Sequence, residues 1–283
     1  MLTRLNAPIT LREVIRRTIA EIEEDRCLGL AAQMAFYFFL ALFPALLFLV
    51  ALVTYLPLDN ALRELLAALG PVAPQEAVTL LRGQIEQLSE DGHGGVLTAG
   101  IAGALWSSSV AMVAIIDALN HAYDVTEWRP WWKRRLIAIA LTIALAVFIV
   151  AALAFVLLGP GVATWIAGRL GLADVVVFVW QVARWPLIVA FVIVGVDLVY
   201  FFAPNRKAAW AWVTPGSALA TALWIASSFA FKFYVANFGA YNATYGAIGG
   251  IVVMLLWFYV SGLAILVGAE LNGVLEHARD TGR

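Results

Sequence analysis

Six stretches of this chain are too long and too apolar to sit in the core of a water-soluble domain. They cover about residues 28–56, 95–119, 136–158, 183–202, 209–231 and 245–271. A helix of roughly 20 mostly apolar residues crosses a hydrocarbon layer of about 30 Å, and each stretch has about that length or more. Composition agrees. Hydrophobic residues make up 63% of the 283 and charged residues 13%, too few polar groups to cover a globular surface. The expected fold is all-α: a polytopic membrane protein with six transmembrane helices in a domain spanning 28–276. The third span is expected to stop at Gly159-Pro160-Gly161, and Arg184-Trp185-Pro186 to interrupt the fourth, with Arg184 at the interface.

Lysines and arginines set the orientation. Thirteen lie in the N-terminal segment, the second and fourth loops and the tail, and five on the other side. The alternation loop by loop places both termini in the cytoplasm, with a short cytoplasmic tail at 277–283. Trp128, Trp131, Trp132, Trp210 and Trp212 flank the basic loops, where indoles sit at headgroup depth. The expected location is the cytoplasmic (inner) membrane of a bacterium, and the first partner is the lipid bilayer itself.

Residues 1–27 carry five acidic side chains and lack the short apolar core of a cleavable signal. Leu11, Val14, Ile15, Thr18, Ile19 and Ile22 fall on one helical stripe, with Arg12, Glu13, Arg16, Arg17 and Glu23 off it. The pattern predicts an amphipathic helix lying on the cytoplasmic membrane surface. The external loop 57–94 holds two further helical patterns, Leu62-Leu65-Leu66-Leu69 and Ala77-Leu81-Ile85-Leu88, and an excess of acids. It reads as a solvated cap, with a lid over a cavity as the sharper alternative.

An ionisable group inside a span is a functional candidate by default because its burial in lipid costs a few kcal/mol or more. Asp117, Asp197 and Glu270 fall near cytoplasmic ends of three spans, with Asn120 and Asn272 beside two of them. Gln33 enters the first span at similar depth, and Arg206 lies just below the fourth. Facing inward, these groups would line a polar vestibule. Alternatively they clamp the helices to one another, Arg206 pairing with Asp117 or Glu270. A second polar cluster, Lys232, Asn237, Tyr241, Asn242 and Tyr245, belongs to the outer side. Ser107, Ser108 and Ser109 either line a path or bond back to their own helix.

Catalytic constellations are wanting in the sequence. His93, His121 and His277 share no ligand spacing, Cys27 is the lone cysteine, and no phosphate loop or nucleophile elbow occurs. Neither a catalytic site, a metal nor a cofactor is expected. A net charge of −1 offers no cationic field for nucleic acid.

Ala31-Ala32-Gln33-Met34-Ala35-Phe36-Tyr37 with Leu42-Phe43-Pro44 resembles the opening span of the YihY/BrkB family of bacterial inner-membrane proteins. So do Leu105-Trp106-Ser107 with Asp117-Ala118-Leu119-Asn120, and Pro204-Asn205-Arg206 followed by Pro215-Gly216. The closing run Tyr241-Asn242, Tyr245-Gly246, Gly249-Gly250, Trp257 and Gly268-Ala269-Glu270-Leu271-Asn272 is the most specific match. The resemblance implies six spans and an association with serum resistance, the envelope and export. It also brings an old label, ribonuclease BN, which the charge balance and missing acid-base machinery do not support.

These observations point to a transporter or exporter of a small solute or an envelope amphiphile through a cytoplasm-facing cavity. A non-transporting assembly or scaffold protein is the alternative. A homo-oligomer is compatible with either.

Overall fold

In a computed structural model, the structure describes residues 10–54, 94–170, 173–206, 210–238 and 241–281. Among them the regular structure is helical throughout: α1 (Leu11–Glu24), α2 (Cys27–Thr54), α3 (Gly94–Ala122), α4 (Trp131–Leu170), α5 (Ala173–Phe202), α6 (Pro215–Phe238) and α7 (Tyr241–Thr281). The external loop, with its two helical patterns, lies outside the described residues. Among the described residues four segments are long and apolar enough to cross a membrane: Ala102–Ala122, Trp131–Ala152, Phe178–Phe202 and Gly249–Arg279. The bent pair Leu11–Glu24 and Cys27–Leu42, with 61° between its arms, would make a fifth. The expected crossing at 209–231 corresponds to α6, where Ser217, Thr221, Ser227, Ser228 and Lys232 dilute the apolar run.

Two expected breaks do not occur. The helix α4 continues through Gly159-Pro160-Gly161 to Leu170, and α5 runs unbroken across Arg184-Trp185-Pro186. A proline removes one N–H and crowds one turn, whereas leaving the helix inside lipid would strand many backbone groups. The helical path therefore persists.

The chain divides into two compact units. One comprises Met1–Leu40, Val110–Leu141 and Val196–Arg283. In it α7 is the central element. Along one seam α6 meets α7 so closely that a Cβ on Gly216 would strike the Gly268 carbonyl. Small residues permit this approach. Trp257 of α7 packs against Trp224 and Phe231 of α6. On another face Gly262 receives Met34 of α2, and Phe258 meets Phe38 edge-on at 5.9 Å. Met34, Ile116, Leu119, Tyr200 and Leu266 are fully buried.

Thr10 caps α1, its hydroxyl accepting from the Glu13 N–H, and α1 packs against α7. The predicted stripe divides: Val14 and Thr18 are buried, while Leu11, Ile15 and Ile19 remain exposed. Glu13 bonds Arg16 and Arg17 on the polar face. The helix ends in a sharp elbow at Arg26, whose φ of 51° is left-handed, and the chain turns there into α2.

The second unit comprises Ala41–Ser109 and Thr142–Gly195. Its described side chains are mostly aliphatic and aromatic. Phe148 and Phe155 of α4 contact Phe191 of α5, and Phe155 also contacts Trp180. Ser108 and Ser109 donate to the carbonyls of Leu105 and Trp106, the local bonding that lets a serine sit in an apolar helix.

Candidate functional site

The polar residues at the helix ends of the first unit form three assemblies, the first two joined by a hydrogen bond from Asn272 Nδ2 to the Tyr123 hydroxyl at 3.4 Å. The first is built on the start of α6. Thr214-Pro215-Gly216-Ser217 is a helix-start signature, with a hydroxyl at the N-cap and proline at the first helical position. The Ser217 N–H donates to Thr214 Oγ1 at 3.1 Å and the Thr214 N–H to Ser217 Oγ at 3.2 Å. Asp197 of α5 faces this end. It accepts from Thr214 Oγ1 and Ser217 Oγ, each at 2.7 Å, and from the Thr214 N–H at 3.3 Å. A carboxylate here also meets the positive end of the helix dipole. Asn272 completes the assembly. Its Oδ1 accepts from the Gly216 N–H at 2.8 Å, and its Nδ2 donates to Thr214 Oγ1 at 3.0 Å. Asp197 and Asn272 are 2% and 5% exposed, so hydrogen bonding is what makes their burial tolerable.

The second assembly ties the α3–α4 loop to the segment after α5. Asn120 donates to Glu127 at 2.9 Å and accepts from the Asn205 N–H at 2.8 Å. Arg129 grips Glu127 through Nε at 2.8 Å and a second nitrogen at 2.6 Å, and donates to the Ala203 carbonyl at 2.9 Å. Burial opposes the charge on Glu127, but the hydrogen bonds from Arg129 and Asn120 outweigh it and hold the carboxyl below its usual range. Nearby, Arg206 lies over the Tyr123 ring, 3.7 Å from its centroid, and pairs with Glu276. Tyr123 stands edge-on to Tyr200, whose hydroxyl donates to the Ile265 carbonyl.

The third assembly is the elbow between α1 and α2. Glu270 of α7 is 2% exposed and accepts from the Cys27 thiol at 3.1 Å. Asp25 shares a side-chain hydrogen bond with it, and Glu21 and Asp124 are close enough to add their charge. Among the described residues no lysine or arginine pairs with Glu270. Burial and then the charge of Asp124 raise the Asp25 carboxyl above its ordinary value, the Glu270 side chain acting the other way.

The remaining candidates scatter. Asp117 pairs with Arg134 at 2.7 Å, both about one-third exposed, so neither Asp117 nor Glu270 takes Arg206. Gln33 is exposed on the outward stripe of α2 with Phe36 and Leu40. Lys232 is exposed on α6. The side chains of Asn237, Tyr241, Asn242 and Tyr245 fall outside what the structure describes. Sequence reasoning passed over Glu127, Arg129, Thr214, Ser217 and Glu276. The capping signature at Thr214 is the signal that marks two of them.

Comparison with known proteins adds an independent line. A family model described as virulence factor BrkB matches residues 18–283. A Bacillus subtilis protein named putative ribonuclease-like protein YfkH is 40% identical over 246 residues, covering 87% of this chain and 89% of that one. The UPF0761 membrane protein RSc1559 of Ralstonia nicotianae is 28% identical over 283 residues, 99% of this chain and 62% of that protein. A UPF0761 membrane protein of Xanthomonas campestris pv. campestris is 27% identical, over 90% of this chain and 59% of its own. The chain thus spans about three-fifths of these two longer relatives. No solved structure matches.

Proposed function

The chain belongs to the virulence factor BrkB family, and we propose that it is a multi-pass transporter of the bacterial inner membrane. In this reading it has six crossings, with α6 as the fifth, and both termini are cytoplasmic. Its cargo is a small solute or an envelope amphiphile, and Glu270 in the elbow is its exchange site for a proton or a cationic group. One observation supports this: Glu270 is a carboxyl buried in a crossing helix, held by a thiol and surrounded by further acids rather than by a cation. Buried intramembrane acids that pair with one another rather than with a cation mark ion and substrate pathways. Asp197, fully matched at the start of α6, has no such freedom, and Asp117 is neutralised at the rim by Arg134.

A second reading rests on the first two assemblies. Their side chains satisfy one another, the arrangement expected of a sealed bundle that serves as an envelope scaffold. Ribonuclease activity stays outside the proposal, because a net charge of −1 gives RNA no cationic track.

The test compares cells producing the native protein, Glu270→Gln, or neither, by untargeted mass spectrometry of medium and of membranes. At equal membrane insertion, at least one solute or lipid species redistributes with the native protein and returns to the protein-free level with Glu270→Gln. Identical profiles in all three reject transport and leave the scaffold.

A further inference from the structure

The second unit carries two buried hydrogen-bond donors that find no partner among the described residues. Trp180 and Arg184 lie four residues apart on α5, hence on one face a single turn apart. The Trp180 Nε1 and Arg184 Nε atoms are both shielded from solvent and have no hydrogen-bond partner among the described residues. Among the described residues no carboxylate forms an ion pair with Arg184. Its guanidinium lies near the Trp185 ring, 5.3 Å from the centroid, a contact that uses its face and not its N–H groups.

This face of α5 is the inward one. Along the same stripe lie Phe191, which contacts Phe148 and Phe155 of α4, and Gly195, which is buried against Phe148. The other side, with Phe178, Val179, Val182 and Trp185 more than half exposed, is the one suited to acyl chains. Phe155 braces the Trp180 ring at 4.9 Å. Buried donors in native proteins are matched almost without exception, and one without a protein partner is met by water or a ligand. An arginine within a span meets an anion or reaches toward the headgroups. Arg184 lies six residues inside the Phe178 end of its span, about 9 Å along the helix, within reach of the interface.

The geometry points to a site for a phosphate oxygen at Arg184 and Trp180. The guanidinium supplies charge and paired N–H donors suited to phosphate, and the indole N–H adds one neutral donor a turn away. The phosphate belongs either to an anionic phospholipid or to a free phosphate ion. The site is independent of Glu270 and of the transport reading.

The test uses the full chain in nanodiscs of phosphatidylcholine, alone, with added phosphatidylglycerol, or with inorganic phosphate in the buffer. Native mass spectrometry reads retained lipid and thermal unfolding reads stabilisation. The native protein retains phosphatidylglycerol in preference to phosphatidylcholine. Arg184→Gln weakens that retention about tenfold or more, the loss of one charge-assisted hydrogen bond, and Trp180→Phe weakens it by a smaller factor. Should Arg184→Gln fail to fold, Arg184→Lys and Trp180→Phe carry the comparison, with Arg184→Lys retaining part of the preference. Stabilisation by inorganic phosphate alone, lost with the same substitutions, assigns the site to the free ion. If neither probe is preferred by the native protein, or if the substitutions leave the preference unchanged, the site does not exist.

Discussion

Asp197 and Glu270 are both carboxyls with 2% of their surface exposed, each near an end of a membrane-crossing helix. Their surroundings are opposite. Asp197 is met by two hydroxyls and a backbone N–H at the start of α6. Glu270 is met by a weakly donating thiol and by a hydrogen bond with the Asp25 carboxyl, with Glu21 and Asp124 nearby. The contrast teaches that depth and charge do not assign a role. The donor set does: a carboxyl saturated by fixed donors is part of the scaffold, whereas one held by a thiol among like charges is open to a proton or a cation.

The largest expected effect tests whether the scaffold side of this contrast is as rigid as its packing implies. A Cβ on Gly268 would meet the Gly216 carbonyl, the Tyr200 hydroxyl and the Ala220 methyl at once. Gly268→Ala should cost on the order of 3 kcal/mol or more and abolish a monodisperse, heat-resistant species in detergent. Gly29 of α2, beside the elbow, has nothing within 4 Å of the same added atom. Gly29→Ala should therefore stabilise by about 0.5–1 kcal/mol. Equal effects at the two positions would mean that the α6–α7 seam is not the close contact described.

The paired substitutions Asp197→Asn and Glu270→Gln sharpen the comparison directly. The amide at 197 turns one acceptor into a donor facing two hydroxyls, and thermal unfolding should report a loss of about 1–3 kcal/mol. The amide at 270 keeps an acceptor for Cys27 and removes an ionisable group from an acidic cluster, so stability should stay within about 0.5 kcal/mol of the native chain or exceed it. A Glu270→Gln protein less stable than Asp197→Asn would return Glu270 to the scaffold.

The helical class and the presence of several apolar spans were legible because hydropathy is a property of segments and survives ignorance of packing. The continuity of α4 through Pro160 and of α5 through Pro186 was not, since the effect of a proline depends on whether water can take over the freed groups. Partner choice was hidden for a different reason. Sequence gives each polar group a depth along its helix but no azimuth about it, so Arg206 could be offered Asp117 or Glu270 while its partner is Glu276. The contact between Cys27 and Glu270 joins residues 243 apart, which no local pattern reports. The Thr214-Pro215-Gly216-Ser217 cap was passed over, yet it is the one feature of the site that a local signal could have revealed, because capping is chemistry between neighbours in the chain.

The smallest effect is also the one that separates the regions by sign. Asp25, at the elbow, has its folded carboxyl raised above the ordinary Asp value of 3.8 by burial and by Asp124. The folded state then holds a proton that the unfolded chain has already released. Stability from this group is full below that ordinary value and declines as pH rises through the window up to the raised one. Glu127, in the α3–α4 loop, is shifted the other way: its carboxyl is lowered below the ordinary 4.5 by Arg129 and Asn120 against the opposing effect of burial. Its contribution is full above 4.5 and is lost as pH falls toward and through the lowered value. Unfolding temperatures recorded from about pH 3 to about pH 8 should therefore change in opposite directions in two variants. Asp25→Asn should remove a decline on the rising side of the carboxylate range, and Glu127→Gln should remove a loss on the acidic side. If both variants flatten the same limb, the elbow carries no excess of unmatched acid, and the distinction between Glu270 and Asp197 loses its electrostatic basis.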